Sequence, residues 1–402
     1  MGINFKQANI WVLVSIVYAQ FAGTSLWFAG NAVLPTLQKI YQFPDNTLSQ
    51  ITTAVQLGFI TGTLLYALFS ISDRFSPNVV FFISSVAGAL CNSGILFFDF
   101  SITTLIIFRF FTGLFLAGIY PVGMKIAADW YEKGLGKALG FLVGALVLGT
   151  AFPHLLNSLQ TILKWENVLL FVSFFATSGG LLILLIKDGP HRKKGIDFKP
   201  TAILKVFKLL KFRKSAFGYY GHMWELYAFW AFIPWLLNYY ATEKEYVFNI
   251  SLWSFFIIGI GCISCILGGI VSEKKGSLFV AKNSLLISGL CCLLSPLIVF
   301  FPFWLTITFL FIWSAFVISD SPQFSRLVAA SAPKEITGTA LTIVNSTGFA
   351  ISIVSIQLLG YFNSIELIKP YIFLVLFPGP VIGLLSVKNF KKIITSDKAE
   401  ST

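Results

Sequence analysis

Residues 109–140 read RFFTGLFLAGIYPVGMKIAADWYEKGLGKALG: an apolar helix holding one arginine, a Gly/Pro-softened middle, a short charged loop and a new helix start. About two hundred residues later the chain repeats it. Pro121-x-x-x-Lys125 recurs as Pro322-x-x-x-Arg326 at an offset of 201, and Gly136-Lys-Ala-Leu as Gly338-Thr-Ala-Leu at 202. Upstream, Asp73-Arg74 and Glu273-Lys274 occupy two short loops at an offset of 200. Three matches in order at nearly one offset mark a duplicated half. The period is far too long for a solenoid, so the pattern predicts two similar six-helix bundles fused end to end.

Composition identifies the solvent. Of 402 residues, 56% are hydrophobic and 11% charged, with 43 Phe and a mean hydropathy of +0.81. A soluble domain carries roughly 25% charged residues, so most of this chain belongs in lipid. A bilayer core of about 30 Å asks for about 20 apolar residues per helix. Such runs fall at 10–34, 48–72, 78–98, 102–127, 135–160, 166–187, 216–240, 248–272, 278–300, 303–327, 335–361 and 370–388. Lipid offers the backbone no hydrogen bonds, so each run is expected to be a helix. The predicted class is an all-α integral membrane protein of twelve transmembrane helices in two pseudo-symmetric bundles. The divisions are 1–187, a basic linker at 188–215, and 216–402 with a short tail. The first run lacks a small-residue cleavage signal and is long enough to span, so it is expected to be a membrane helix rather than a signal peptide.

Orientation follows from lysine and arginine. With the N-terminus inside, that side holds 24 of the 29 basic residues, and the other side only Lys39, Lys164, Lys244 and Lys369. This predicts cytoplasmic termini, with a bacterial inner membrane as the expected location. The net charge of +12 is therefore a topology signal, not a nucleic-acid footprint. In the linker, Ile203, Phe207 and Leu210 share a face away from Lys205, Lys208 and Lys211. An amphipathic helix on the inner membrane surface, starting after Pro200, is expected there. The five cysteines all lie in apolar runs, and Cys262-x-x-Cys265 has no second ligand pair beside it, so these are expected to be packing residues.

These features resemble the major facilitator superfamily of secondary transporters. Its loop signature Gly-x-x-x-Asp-[Arg/Lys]-x-Gly appears between helices 8 and 9 as Gly269-x-x-x-Glu273-Lys274-Lys275-Gly276. Between helices 2 and 3 it is degenerate: Asp73-Arg74 stand, but Phe69 and Ser76 replace the glycines, and Pro77 and Asn78 the basic pair. The helix-4 pattern Arg-x-x-x-Gly is met by Arg109 and Gly113. The resemblance implies alternating access, with a small-molecule site between the halves.

Charges at helix ends point to gating. Asp73 and Glu273 sit where a carboxylate accepts from a helix N-terminus or pairs with a base, and are expected to latch the inner side. Arg74 and Lys274 accompany them, and Lys125, Asp129 and Arg326 occupy the repeat-related ends of helices 4 and 10. Polar groups inside spans point to the site. A mid-membrane arginine costs about 2.5–3.5 kcal/mol on insertion scales, so Arg109 either anchors substrate or bonds carbonyls of helix 1. Gln20, Thr24, Trp27 and Asn31 form one stripe of helix 1, and helix 2 adds Gln56. On helix 7, His222 and Glu225 are neighbours at i, i+3, with Glu225 near the midplane as the expected proton-coupling acid and His222 as its relay. Helix 10 adds Trp313 and Asp320. Two ligands do not make a metal shell, and no phosphate-cradling Gly-rich loop follows a strand, so neither a cofactor nor enzymatic chemistry is expected. The expected function is proton-coupled secondary transport of a small organic solute by a monomer. An uncoupled facilitator or exchanger, or a non-transporting sensor or scaffold, stands as the alternative.

Overall fold

The computed structural model describes residues 5–131, 135–192, 206–333, 336–388 and 390. Eleven helices among the described residues are long and apolar enough to cross a membrane. In chain order they are α1 (Ile10–Tyr41), α2 (Thr47–Leu68), α3 (Pro77–Phe97), α4 (Ile102–Trp130), α5 (Ala138–Asn157), α6 (Trp165–Leu184), α8 (Ile250–Lys275), α9 (Ser277–Phe300), α10 (Phe303–Ser331), α11 (Thr337–Asn363) and α12 (Glu366–Ser386). Between α6 and α8 runs α7 (Leu210–Lys244), 35 residues and so about 52 Å long. It falls short of the others in apolarity because His222, Glu225 and several Tyr and Trp residues ride on it. Nearly all of its central stretch is buried in protein rather than turned to lipid. It starts at Leu210, so the end of the expected linker is already helix. Ile203 and Lys205 lie outside the described residues; the expected amphipathic helix does not run unbroken through the described part, where Phe207 to Leu209 form a turn and bend and Leu210 and Lys211 already belong to α7.

The helices break where sequence removes a backbone donor or tightens the turn. In α4 the break falls at Ala117–Ile119, just ahead of Pro121; in α10 it falls at Asp320, just ahead of Pro322. Proline has no N–H to continue the ladder, so the duplicated motif produces a duplicated kink. In α1 the break spans residues 25–28, where Leu26 N–H reaches back to the Gly23 carbonyl and Trp27 N–H to that of Thr24, three residues away. That tightening leaves the carbonyls of Leu26 and Trp27 free.

Within the first half, α2 and α4 pack backbone to backbone. A Cβ on Gly113 would sit 1.9 Å from the Val55 carbonyl oxygen, and one on Gly58 1.9 Å from that of Phe110. Only glycine permits this approach, the small-residue packing that membrane helices use in place of a hydrophobic driving force. The glycine of the Arg-x-x-x-Gly pattern is therefore a packing residue.

Two seams join the halves: α2 runs along α11, and α5 along α8. Along the first, Gln357 Nε2 donates to the Thr53 hydroxyl at 2.6 Å, the Ser352 hydroxyl to Gln56 Oε1 at 3.0 Å, and the Thr63 and Ser346 hydroxyls meet at 3.2 Å. At the far end of the second, Asn249 Nδ2 donates to the Ser158 carbonyl and Asn157 Nδ2 to the Ser251 hydroxyl, both at 2.8 Å. These last contacts lie at the membrane face opposite the basic loops, and there the two halves are tied together.

Candidate functional site

Arg109 points from α4 into the break of α1. Its Nη1 donates to the Leu26 carbonyl at 3.0 Å and to Asn92 Oδ1 at 3.4 Å, and its Nη2 donates to the Trp27 carbonyl. It is buried, and the void beside it, lined also by Gly30, Asn92 and Leu169, holds ≈ 10 Å³. That is about the space of one water, too little for a solute. Of the two roles expected for Arg109, the geometry matches the second: it bonds helix-1 carbonyls. Asn92, which also donates to the Leu169 carbonyl and the Ser173 hydroxyl, completes the group. Its mid-span amide was a visible signal that sequence reading passed over.

The polar stripe of α1 divides. Thr24 turns its hydroxyl back onto the Gln20 carbonyl at 2.7 Å and packs against Gly149 of α5. Asn31 donates to the Thr52 hydroxyl of α2 at 2.7 Å. Trp27 crosses to the other half: its ring stacks on Tyr227 of α7 and Phe349 of α11, with centroids 5.3 and 5.5 Å apart, and tilts against Phe59 of α2 at 4.8 Å. On α1 and α2 several buried polar atoms have no protein partner: both amide atoms of Gln20, which lies against Gly123 of α4, Trp27 Nε1, Asn31 Oδ1 and Gln56 Nε2. Buried polar groups are nearly always hydrogen-bonded, so these atoms have bonding capacity left for water or a solute. Phe59 and Phe349 escaped sequence reading because a phenylalanine among 43 carries no signal of its own.

In the second half the expected pairing changes. His222 faces Asp320 of α10, Nδ1 to Oδ1 at 2.8 Å, and both side chains are almost fully buried. The two atoms are in ion-pair contact without full hydrogen-bond alignment, and His222 Nε2 has no partner. Among the described residues no hydrogen bond joins His222 to Glu225. Glu225 instead sits inside the bundle between α7, α9 and α10. Its Oε1 accepts from Trp313 Nε1 at 2.7 Å and from Cys292 Sγ at 3.2 Å, and its Oε2 from the Ser288 hydroxyl at 2.8 Å. Trp313 thus serves Glu225 rather than lining the space between the halves. Asp320 is as deeply buried as Glu225, so the second half holds two buried carboxylates. Sequence separation hid the His222–Asp320 contact, which only the packing of α7 on α10 creates.

The charged loops close the description. Lys125 Nζ donates to Asp73 Oδ1 at 2.6 Å, with both side chains about a quarter exposed. This pair lies within the first half and does not bridge to the second. Arg192, just past the end of α6, pairs with Asp188 at 2.5 Å and donates to the Phe75 carbonyl at 2.7 Å, while the Ser76 hydroxyl also donates to Asp188. The start of the linker thereby straps the degenerate loop whose own basic pair is missing. Asp129 is buried in the same wall, its carbonyl accepting from His191 N–H. In the second half Arg326 reaches the Ser272 hydroxyl at 3.1 Å. Arg74, Glu273 and Lys274 are exposed and form no ion pair among the described residues.

The comparisons with known proteins agree with this fold. A D-galactonate transporter of Escherichia coli O6:H1 (strain CFT073) is 23% identical over 265 residues, 58% of this chain and 60% of that protein, so the match spans well under two thirds of that relative. YyaJ of Bacillus subtilis (strain 168), named as a metabolite transport protein, is 22% identical over 340 residues, 73% of this chain and 72% of that protein. Among solved structures, the proton:xylose symporter XylE bound to 6-bromo-6-deoxy-D-glucose superposes with a TM-score of 0.73 at 13% identity, covering 96% of this chain and 95% of that one. An inward-facing bacterial homologue of the human lysosomal transporter Spinster gives 0.67 at 13% identity, with the same coverage. At such identities the structural likeness speaks for the fold alone. The profile of the Major Facilitator Superfamily matches residues 16–356, nearly the whole of the two duplicated halves, and the chain belongs to that superfamily.

Proposed function

We propose that the protein is a secondary transporter that moves a small, hydroxyl-bearing organic solute by alternating access, and that protons drive it. The observation that carries this reading is the set of unpartnered buried polar atoms on α1 and α2, together with an aromatic cluster contributed by both halves. Amide groups and an indole N–H supply donors and acceptors for hydroxyls, and flat rings supply a platform for an apolar face. Arg109 is the only buried Lys or Arg among the described residues, and its guanidinium is committed to backbone. A neutral polyol or a zwitterion therefore suits the centre better than a small inorganic anion. The curated relative named as a D-galactonate transporter supports the class, not the compound.

Coupling is best carried by His222 and Asp320. Two titratable groups 2.8 Å apart, buried on facing helices, give one proton two homes. Glu225, by contrast, is held as an acceptor by three donors and is better suited to keep α7, α9 and α10 in register. The seams tied at the face opposite the basic loops are those of a carrier closed on that side. With the basic loops in the cytoplasm of a bacterial inner membrane, this is closure to the outside.

The test is purified protein in proteoliposomes, screened first by thermal shift against neutral sugars, polyols, sugar acids and amino acids. A stabilising solute should then accumulate when the outside is made acidic. Asp320→Asn should abolish gradient-driven accumulation while solute exchange continues. Binding without flux in the wild type would support a sensor, and flux indifferent to the pH gradient would support a facilitator. Orientation is tested separately: an impermeant thiol reagent should label a single cysteine at Lys244, but not one at Lys274, in intact cells.

A further inference from the structure

The duplicated motif places a cation at the inner end of helix 4 and again at the inner end of helix 10, but only the first has an internal counter-charge. Lys125 is neutralised by Asp73 at 2.6 Å. Arg326, one repeat later, finds only the neutral Ser272 hydroxyl, and the neighbouring Glu273 turns to solvent without an ion pair among the described residues. Beside Arg326 opens a cleft of ≈ 330 Å³ between the end of α10 and the loop joining α8 to α9. Lys275 lines its other side and rests on the Phe279 ring, 4.8 Å from Nζ to the centroid. The floor is the first turn of α9, entered through Gly276. Its φ of +86° is a conformation natural to glycine, and the helix starts immediately after it at Ser277, which with Leu278 lines the cleft. Leu327 and Ala330 add an apolar wall.

Two cations, a helix start and an apolar wall in a cleft at the end of a membrane helix form a receptor for a phosphate with a greasy neighbour. Guanidinium and ammonium groups pair with phosphate oxygens, and first-turn amides with their positive dipole end favour the same charge. Glu273 is not among the lining residues, so no carboxylate opposes an anion inside the cleft. We propose that Arg326, Lys275 and the first turn of α9 bind the phosphate of an anionic ligand, carried either by a phospholipid headgroup or by free phosphate. Basic clefts between membrane helices at a basic face take lipid headgroups by this chemistry. The first half differs at the related position, where Asp73 already pairs with Lys125.

The experiment is native mass spectrometry of the purified full chain, delipidated and then supplied with phosphatidylglycerol, phosphatidylcholine or inorganic phosphate. Phosphatidylglycerol should be retained at least about fivefold more than phosphatidylcholine. Lys275→Gln with Arg326→Gln should remove that preference, whereas Lys282→Gln, one turn away on α9 and outside the cleft, should not. Displacement of the lipid by millimolar inorganic phosphate, or retention of phosphate alone, would assign the site to free phosphate. Equal retention of both lipids with no binding of phosphate, or an undiminished preference in the double variant, would overturn the proposal. Should the double variant fail to fold, hydrogen exchange at Ser277 and Leu278 in the wild type decides. Protection by phosphatidylglycerol or phosphate but not phosphatidylcholine is expected, and no protection by either anion refutes it.

Discussion

The two halves share a fold and differ in the charges they bury and in how those charges are held. The first buries a cation, Arg109, whose two Nη atoms donate to neutral groups (two carbonyls of a broken helix and the Asn92 amide), and one acid, Asp129, at its loop end. The second buries two acids. Glu225 is satisfied by three neutral donors, and Asp320 meets a histidine. Duplication preserved the kinks and the helix order because these rest on proline, glycine and apolar length. It did not preserve the buried charges, because each depends on partners from one or two other helices. A charge saturated by neutral partners braces a bundle; a charge facing a second titratable group has somewhere to send a proton. On the proposed coupling through His222 and Asp320, the first half is the braced frame and the second holds the proton site.

The largest expected break in this contrast is Arg109→Met. It strands the Leu26 and Trp27 carbonyls inside the first bundle, and hydrogen bonds to a charged group are worth about 1.5–3 kcal/mol each. A loss of about 3 kcal/mol or more is expected, read as a lower thermal midpoint of the purified protein. An unchanged midpoint would mean that α1 closes its own break. In the second half, Glu225→Gln keeps shape and one acceptor but turns an amide N–H₂ toward a ring of donors. The expected cost is about 1–3 kcal/mol, with the pH dependence of accumulation retained in whatever protein folds. Loss of that dependence with an unaltered midpoint would move the proton site from Asp320 to Glu225.

The smallest effects belong to the loops. The Asp73–Lys125 pair is partly exposed, so Asp73→Asn should cost about 1 kcal/mol or less. The pair stays within one half, so spin-label distances between the halves at the basic face should shift little on Asp73→Asn alone. A large opening of that face would restore the latch expected from the sequence. The same substitution should free Lys125 and make the first half resemble the second, measurable as a gain in phosphatidylglycerol retention.

Much of this was legible in residues alone. Apolar runs of membrane length, repeated Pro and Gly positions and the skew of lysine and arginine gave the class, the duplication and the candidate polar residues, because hydrophobic length and backbone chemistry act locally. Arg109 was recognisable as a residue requiring an explanation, since its cost in lipid is independent of context. Which explanation holds depended on the break in α1, which places free carbonyls within reach. His222 and Glu225 lie three apart on one helix, and sequence proximity suggested a pair; packing gave His222 to Asp320, 98 positions away, and Glu225 to Trp313, Ser288 and Cys292. Sequence determines which side chains must be buried or paired, because those costs are properties of the residue and its solvent. Tertiary structure alone decided with whom, because hydrogen bonds act over about 3 Å and only the packed helices bring distant positions that close.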